Sequence, residues 1–130
     1  MAAMSRAGID VVQPSPKHRL KVVADLAMVV IAVTIVFLTM FHSPSGYSGP
    51  VWMDKVYHAV AFFVLVLPGA MVHRYAFLWL VPVAVIFGAA IEYFQPYFGR
   101  SREIADLYAD IAGILAGAIT GTLVRRWRES

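Results

Sequence analysis

No cysteine occurs in this chain. Disulfides, thiolate zinc sites and cysteine nucleophiles are therefore excluded. Charge is also scarce: 15% of the 130 residues are Asp, Glu, Lys or Arg, whereas 60% are hydrophobic. A soluble domain carries roughly 25% charged and 45–50% apolar residues. No segment shows the two-residue alternation of a barrel strand, and no internal repeat is present. The net charge of +3 is small. The basic residues cluster near the ends without interleaved aromatics, so they read as topology signals and give no support to nucleic-acid binding.

Four long apolar runs fill most of the chain: Leu20 to Phe41, Val56 to Val72, Tyr75 to Phe94 and Ile104 to Val124. A bilayer core of ~30 Å needs about 20 helical residues, within a range of ~17–25. The mean hydropathy of +0.70 agrees with that reading. The first run is too long for the ~7–15-residue core of a signal peptide, so it is expected to be retained as a helix. The expected fold is all-α, a transmembrane bundle of four antiparallel helices. Residues 1–17 are expected to be a disordered arm and residues 18–128 the membrane domain. Pro68-Gly69 and Pro82 fall inside helices, where membrane proteins tolerate them. His42 to Met53 and Gln95 to Glu103 are expected loops.

The distribution of Lys and Arg sets the expected orientation. With the N-terminus inside, Arg6, Lys17, Arg19, Lys21, Arg74, Arg125, Arg126 and Arg128 lie on the cytoplasmic side. Only Lys55, Arg100 and Arg102 lie outside. Both termini are then cytoplasmic, and the chain is placed as a multi-pass membrane protein. Asp25 follows Lys21 by one helical turn and is expected to pair with it.

This orientation puts Asp54, Lys55, His58, Glu92, Gln95, Arg100, Glu103, Asp106 and Asp110 at the outer ends of helices two to four. Asp54 and His58 are four residues apart and share a helix face. Gly88, Glu92 and Gln95 share another. Asp106, Asp110, Gly113, Gly117 and Gly121 form one stripe, acidic above and small below. Such glycines admit a neighbouring helix, either within the monomer or across a homodimer. Asp110 is expected to be the most buried acid. Lys55, His58, Arg100 and Arg102 are the available partners for Asp54, Glu92, Asp106 and Asp110, and an acid without one would take up a proton.

Several of these residues, in order and spacing, resemble the VanZ-like family of small bacterial membrane proteins. They are Asp54-Lys55-x-x-His58, Ala61-Phe62-Phe63, Gly88-x-x-x-Glu92-x-x-Gln95, Gly99-Arg100, Asp106 and Gly113-x-x-x-Gly117. The resemblance spans Asp54 to Gly121. Where that family often has Asn four residues after the Asp of helix four, this chain has Asp110. The founding member is named for raising tolerance to the glycopeptide teicoplanin, so the resemblance implies a cell-envelope role. No reaction follows from it.

The leading functional expectation is a site that binds or modifies a lipid-linked or surface component. Asp54, Lys55, His58, Glu92, Gln95, Arg100, Asp106 and Asp110 are its binding residues, and His58, Glu92 and Asp106 are the catalytic candidates. Lys55 and Arg100 could hold a phosphate or carboxylate. His58 and Glu92 could exchange protons. The alternative is a non-enzymatic accessory protein whose polar cluster only holds the helices together. A divalent cation is the lesser reading, with no metal ligand assigned, because no H-E-x-x-H motif or EF-hand loop is present. Oxygen ligands would suit magnesium, calcium or manganese, and His58 would shift the preference toward a transition metal. A transporter fits less well, since no acid lies mid-helix. His42, Ser43, Ser45 and Ser48 form no nucleophile elbow and read as loop. Trp52, Tyr57, Tyr93, Tyr97 and Phe98 read as an interfacial belt.

Overall fold

The computed structural model describes residues 13–41 and 49–130. Residues 1–12 of the expected arm, and His42, Ser43, Ser45 and Ser48, lie outside the described residues. Four helices follow one another: α1 (Pro16–Phe41), α2 (Val51–Val72), α3 (Ala76–Phe94) and α4 (Ile104–Glu129). Each is long and apolar enough to cross a membrane, and the protein is an all-α, multi-pass membrane protein.

Three helices are longer than the apolar runs. α1 begins at Pro16, four residues early, because proline suits the first helical position and Ser15 precedes it. The Ser15 hydroxyl accepts the His18 N–H at 3.3 Å. Pro16 and Lys17 thus belong to the helix and not to the arm. α2 begins at Val51, within the expected loop, and carries Asp54 in its first turn, where a carboxylate complements the helix dipole. α4 continues past Val124 to Glu129. Its last turns carry Arg125, Arg126 and Arg128, favourable at a helix C-terminus, and Arg125 pairs with Glu129 at 2.9 Å. Between α3 and α4, a 3-10 turn at Gln95–Phe98 ends at Gly99. Gly99 has φ +77°, a left-handed conformation that glycine adopts without strain.

The helices alternate in direction, but the main contact is between α2 and α4, which run parallel. A Cβ on Gly113, Gly117 or Gly121 would meet the backbone of Ala59, Phe63 or Leu67 respectively. The four-residue steps match in the same direction on both helices. The glycine stripe therefore closes the monomer along α2. Phe62, Val66, Ile114 and Ala118 fill the buried seam beside it.

α1 packs mainly on α2 and buries only Ala24, Ile35 and Met40. The large apolar side chains Leu26, Val30, Val33, Phe37 and Phe41 are exposed. A soluble protein seldom exposes such a continuous apolar surface, and lipid covers it here. Trp52, Tyr57, Tyr93, Tyr97 and Phe98 are also exposed, at the end where α2 and α4 begin.

That end is polar. The opposite end is basic, with Lys17, Arg19, Lys21, Arg74, Arg125, Arg126 and Arg128 on the corresponding helix termini. There Asp25 pairs with His73 at 2.7 Å, in place of the expected Lys21. The face of α1 that carries Asp25 turns toward the α2–α3 connection, while Lys21 remains exposed.

Candidate functional site

The polar end gathers residues from three helices. The first turns of α2 supply Asp54, Lys55 and His58. The last turn of α3 supplies Glu92, and the start of α4 supplies Asp106 and Asp110. His58, Glu92, Asp106 and Asp110 are 6%, 4%, 3% and 0% exposed. Asp110 is thus the most buried acid, as its depth along α4 implied.

Lys55 bridges α2 to α4. Its ammonium donates to the Glu103 carboxylate and faces Asp106 Oδ1 as an ion pair. One turn deeper, His58 sits between two acids. Its Nδ1 lies 2.9 Å from Asp110 Oδ1, and its Nε2 lies 3.7 Å from Asp106 Oδ2. Arg100 stands at the rim. Its guanidinium is 4.0 Å from Asp54 and donates to the Thr39 carbonyl at 3.2 Å, which ties the α3–α4 connection to α1.

The least satisfied groups lie where α3 faces α4. Glu92 Oε2 accepts the Glu103 N–H at 3.2 Å, but Oε1 has no hydrogen-bond partner among the described residues. Asp110 Oδ2 has none either. A Cβ on Gly88 would lie 2.9 Å from Asp110 Oδ2. Gly88 is one turn before Glu92, so the absence of its side chain lets Asp110 reach the Glu92 face of α3. Gln95 is buried at 1% exposure. Its Nε2 has no partner among the described residues, so its amide nitrogen adds no bond to the cluster.

Two pairings differ from expectation. Arg102 does not neutralise a carboxylate. It donates to the carbonyls of Glu92 (3.2 Å) and Tyr93 (3.1 Å) and lies over the Tyr93 ring at 5.1 Å. It caps the open carbonyls at the C-terminus of α3. Glu103, outside the expected site residues, binds Lys55 and orients Glu92 through its N–H. Its position just before the α4 apolar run, where a side chain meets a helix N-terminus, was the available signal.

The acids outnumber their cations. Asp54 faces Arg100, while Glu103 and Asp106 share Lys55. Glu92 and Asp110 have no Lys or Arg partner among the described residues. Two overlapping sets bring ligand atoms within 4.8 Å of one another: Asp54, His58 and Asp106, and His58, Glu92 and Asp110. A carboxylate-flanked imidazole of this kind can hold a proton or a cation, or present a donor to an anionic headgroup.

No family model, curated protein or solved structure matches the chain.

Proposed function

We propose that the chain is a VanZ-like protein of the bacterial plasma membrane, with both termini cytoplasmic and the polar end facing outward. There it binds or modifies a lipid-linked or surface component of the cell envelope, a role linked to glycopeptide tolerance. The observation that carries this reading is the buried, acid-rich cluster of His58, Glu92, Asp106 and Asp110, placed at one end of an otherwise apolar bundle. Ionisable residues at membrane depth are costly and tend to mark functional sites.

Two features support a lipid-linked ligand. Arg100 presents a cation at the rim, its guanidinium still 4.0 Å from Asp54. Two apolar grooves also lie between α1 and α3, one lined by Val36, Phe37 and Phe41 and the other by Met28 and Trp79, with Ala32 and Phe87 bordering both. A hydrocarbon chain in the groove beside Phe41 would leave its headgroup toward the polar end. The orientation is supported by eight of the eleven Lys and Arg residues falling on the opposite side.

A second reading has its own support. Lys55–Glu103, Lys55–Asp106 and His58–Asp110 all join α2 to α4, as a purely structural network would. Glu92→Gln separates the readings, because Glu92 makes no Lys or Arg pair among the described residues. A site that handles a ligand loses its envelope or teicoplanin-tolerance phenotype while the protein keeps its abundance. A structural network tolerates Glu92→Gln and instead loses abundance and phenotype together in His58→Ala, which breaks the pair with Asp110. A reporter fused after Arg128 tests the orientation, and an extracytoplasmic signal would overturn the outward-facing site.

A further inference from the structure

The geometry points to a divalent metal site formed by His58, Glu92 and Asp110, one ligand from each of α2, α3 and α4, suited to manganese, iron or zinc. It does not depend on the lipid-linked reading.

The first support is charge. Of the five carboxylates at the polar end, Asp54, Glu103 and Asp106 are paired with Arg100 or Lys55. Glu92 and Asp110 are not. A doubly charged cation matches the two acids that remain, and His58 can be neutral beside it. The second support is orphaned oxygens. Glu92 Oε1 and Asp110 Oδ2 are buried without a hydrogen-bond partner among the described residues, in residues only 4% and 0% exposed. Buried polar atoms are generally satisfied, so each such exception calls for an explanation. Glu92 and Asp110 both belong, with His58, to a set of residues that each offer a ligand atom within 4.8 Å of the others. Gly88 leaves the space that Asp110 Oδ2 occupies against α3.

Ligand spacing is nearly in place. Metal–ligand bonds of about 2.1 Å put neighbouring ligand atoms roughly 3 Å apart. His58 Nδ1 and Asp110 Oδ1 are 2.9 Å apart, and the three-torsion side chain of Glu92 can close the remaining distance. His58 would bind through Nδ1, with its proton on Nε2. That nitrogen faces Asp106 Oδ2 at 3.7 Å, and Lys55 holds Asp106. Metal-bound histidines characteristically direct their second nitrogen to such a carboxylate. One imidazole with two carboxylates favours a first-row transition ion over calcium or magnesium. Three protein ligands leave positions open for water or an anionic oxygen.

The test uses the full chain purified in detergent, stripped by chelator and dialysed against Mn²⁺, Fe²⁺ or Zn²⁺ in turn. Elemental analysis should find about one ion per wild-type chain. Loss of a ligand should lower affinity by at least ~10–100-fold, so Asp110→Asn and Glu92→Gln should retain almost none, while Asp25→Asn at the basic end should retain a full complement. Wild-type protein that binds none of the three metals would overturn the inference and assign the neutralising charge to protons. Equal binding by wild type and both variants would overturn it too, as adventitious surface binding. If the variants misfold, Co²⁺ in the wild-type protein decides. Visible absorption of a low-coordinate nitrogen–oxygen site is expected, and the spectrum of the free aqueous ion would overturn the site.

Discussion

Gly117→Ala is a severe test of the α2–α4 seam. The added Cβ would lie 2.6 Å from the Phe63 carbonyl oxygen, 3.2 Å from its Cα and 3.3 Å from its carbonyl carbon. All three are backbone atoms, so no rotamer change can yield. An ordinary contact begins at 3.4 Å. The helices must therefore separate by 0.8 Å, the difference between 3.4 and 2.6 Å. Phe62, Val66, Ile114 and Ala118, all buried at 1% exposure or less, would lose contact together. Overpacking costs about 1–3 kcal/mol, and the rigid neighbour places this site at the upper end. Replacing glycine by alanine in a helix returns about 1 kcal/mol. A net destabilisation of roughly 2 kcal/mol is expected from these terms. Unfolding in mixed detergent micelles, followed by circular dichroism, measures it. Ala116→Leu, on the exposed side of α4, should be within about 0.5 kcal/mol of wild type. Unchanged or increased stability in Gly117→Ala would refute the seam, because the substitution would then have met open space.

Lys55→Met should leave Glu103 and Asp106 without their cation. Removing one partner of a buried pair costs about 3–5 kcal/mol. The Lys55 and Glu103 side chains are 23% and 44% exposed, so about 2 kcal/mol is expected by discounting that figure for screening, and the same unfolding assay reads it. Arg102→Lys keeps the charge but cannot reproduce a planar fork across the Glu92 and Tyr93 carbonyls. A loss of about 1 kcal/mol is expected, and faster hydrogen exchange at the α3 C-terminus should accompany it. Asp25→Asn at the basic end should cost less than about 1 kcal/mol, because the aspartate is half-exposed and its pair with His73 is screened. A larger loss would mean that the Asp25–His73 contact is a main tie between α1 and the rest of the bundle.

Much of the architecture was legible in the chain. The four apolar runs declare four membrane-crossing helices, because the apolar length needed to cross a bilayer is set by its thickness and the helical rise. Their ends were less legible. Pro16, Val51 and Arg125 lie in helices although they flank the apolar runs, since capping and dipole terms extend a helix beyond its hydrophobic segment. Helical periodicity also placed Asp106 and Asp110 on one face with Gly113, Gly117 and Gly121, and that face is buried.

Tertiary structure decided which neighbour each face meets. A stripe of small residues states that a helix can approach, not which one. α4 packs against α2, in parallel, more than against its sequential neighbour α3. Partner choice among the charges followed from that packing. Lys55 reaches Glu103 and Asp106 across the α2–α4 seam, Arg102 turns back to the α3 carbonyls, and Asp25 finds His73 on another element. Spacing along one helix determines which side chains share a face. The rotation of one helix against the next determines their partners, and it is set by side-chain packing summed over the whole seam. For this reason the sequence by itself located the acids at one end of a membrane bundle, and only the fold left Glu92 and Asp110 without a Lys or Arg partner among the described residues.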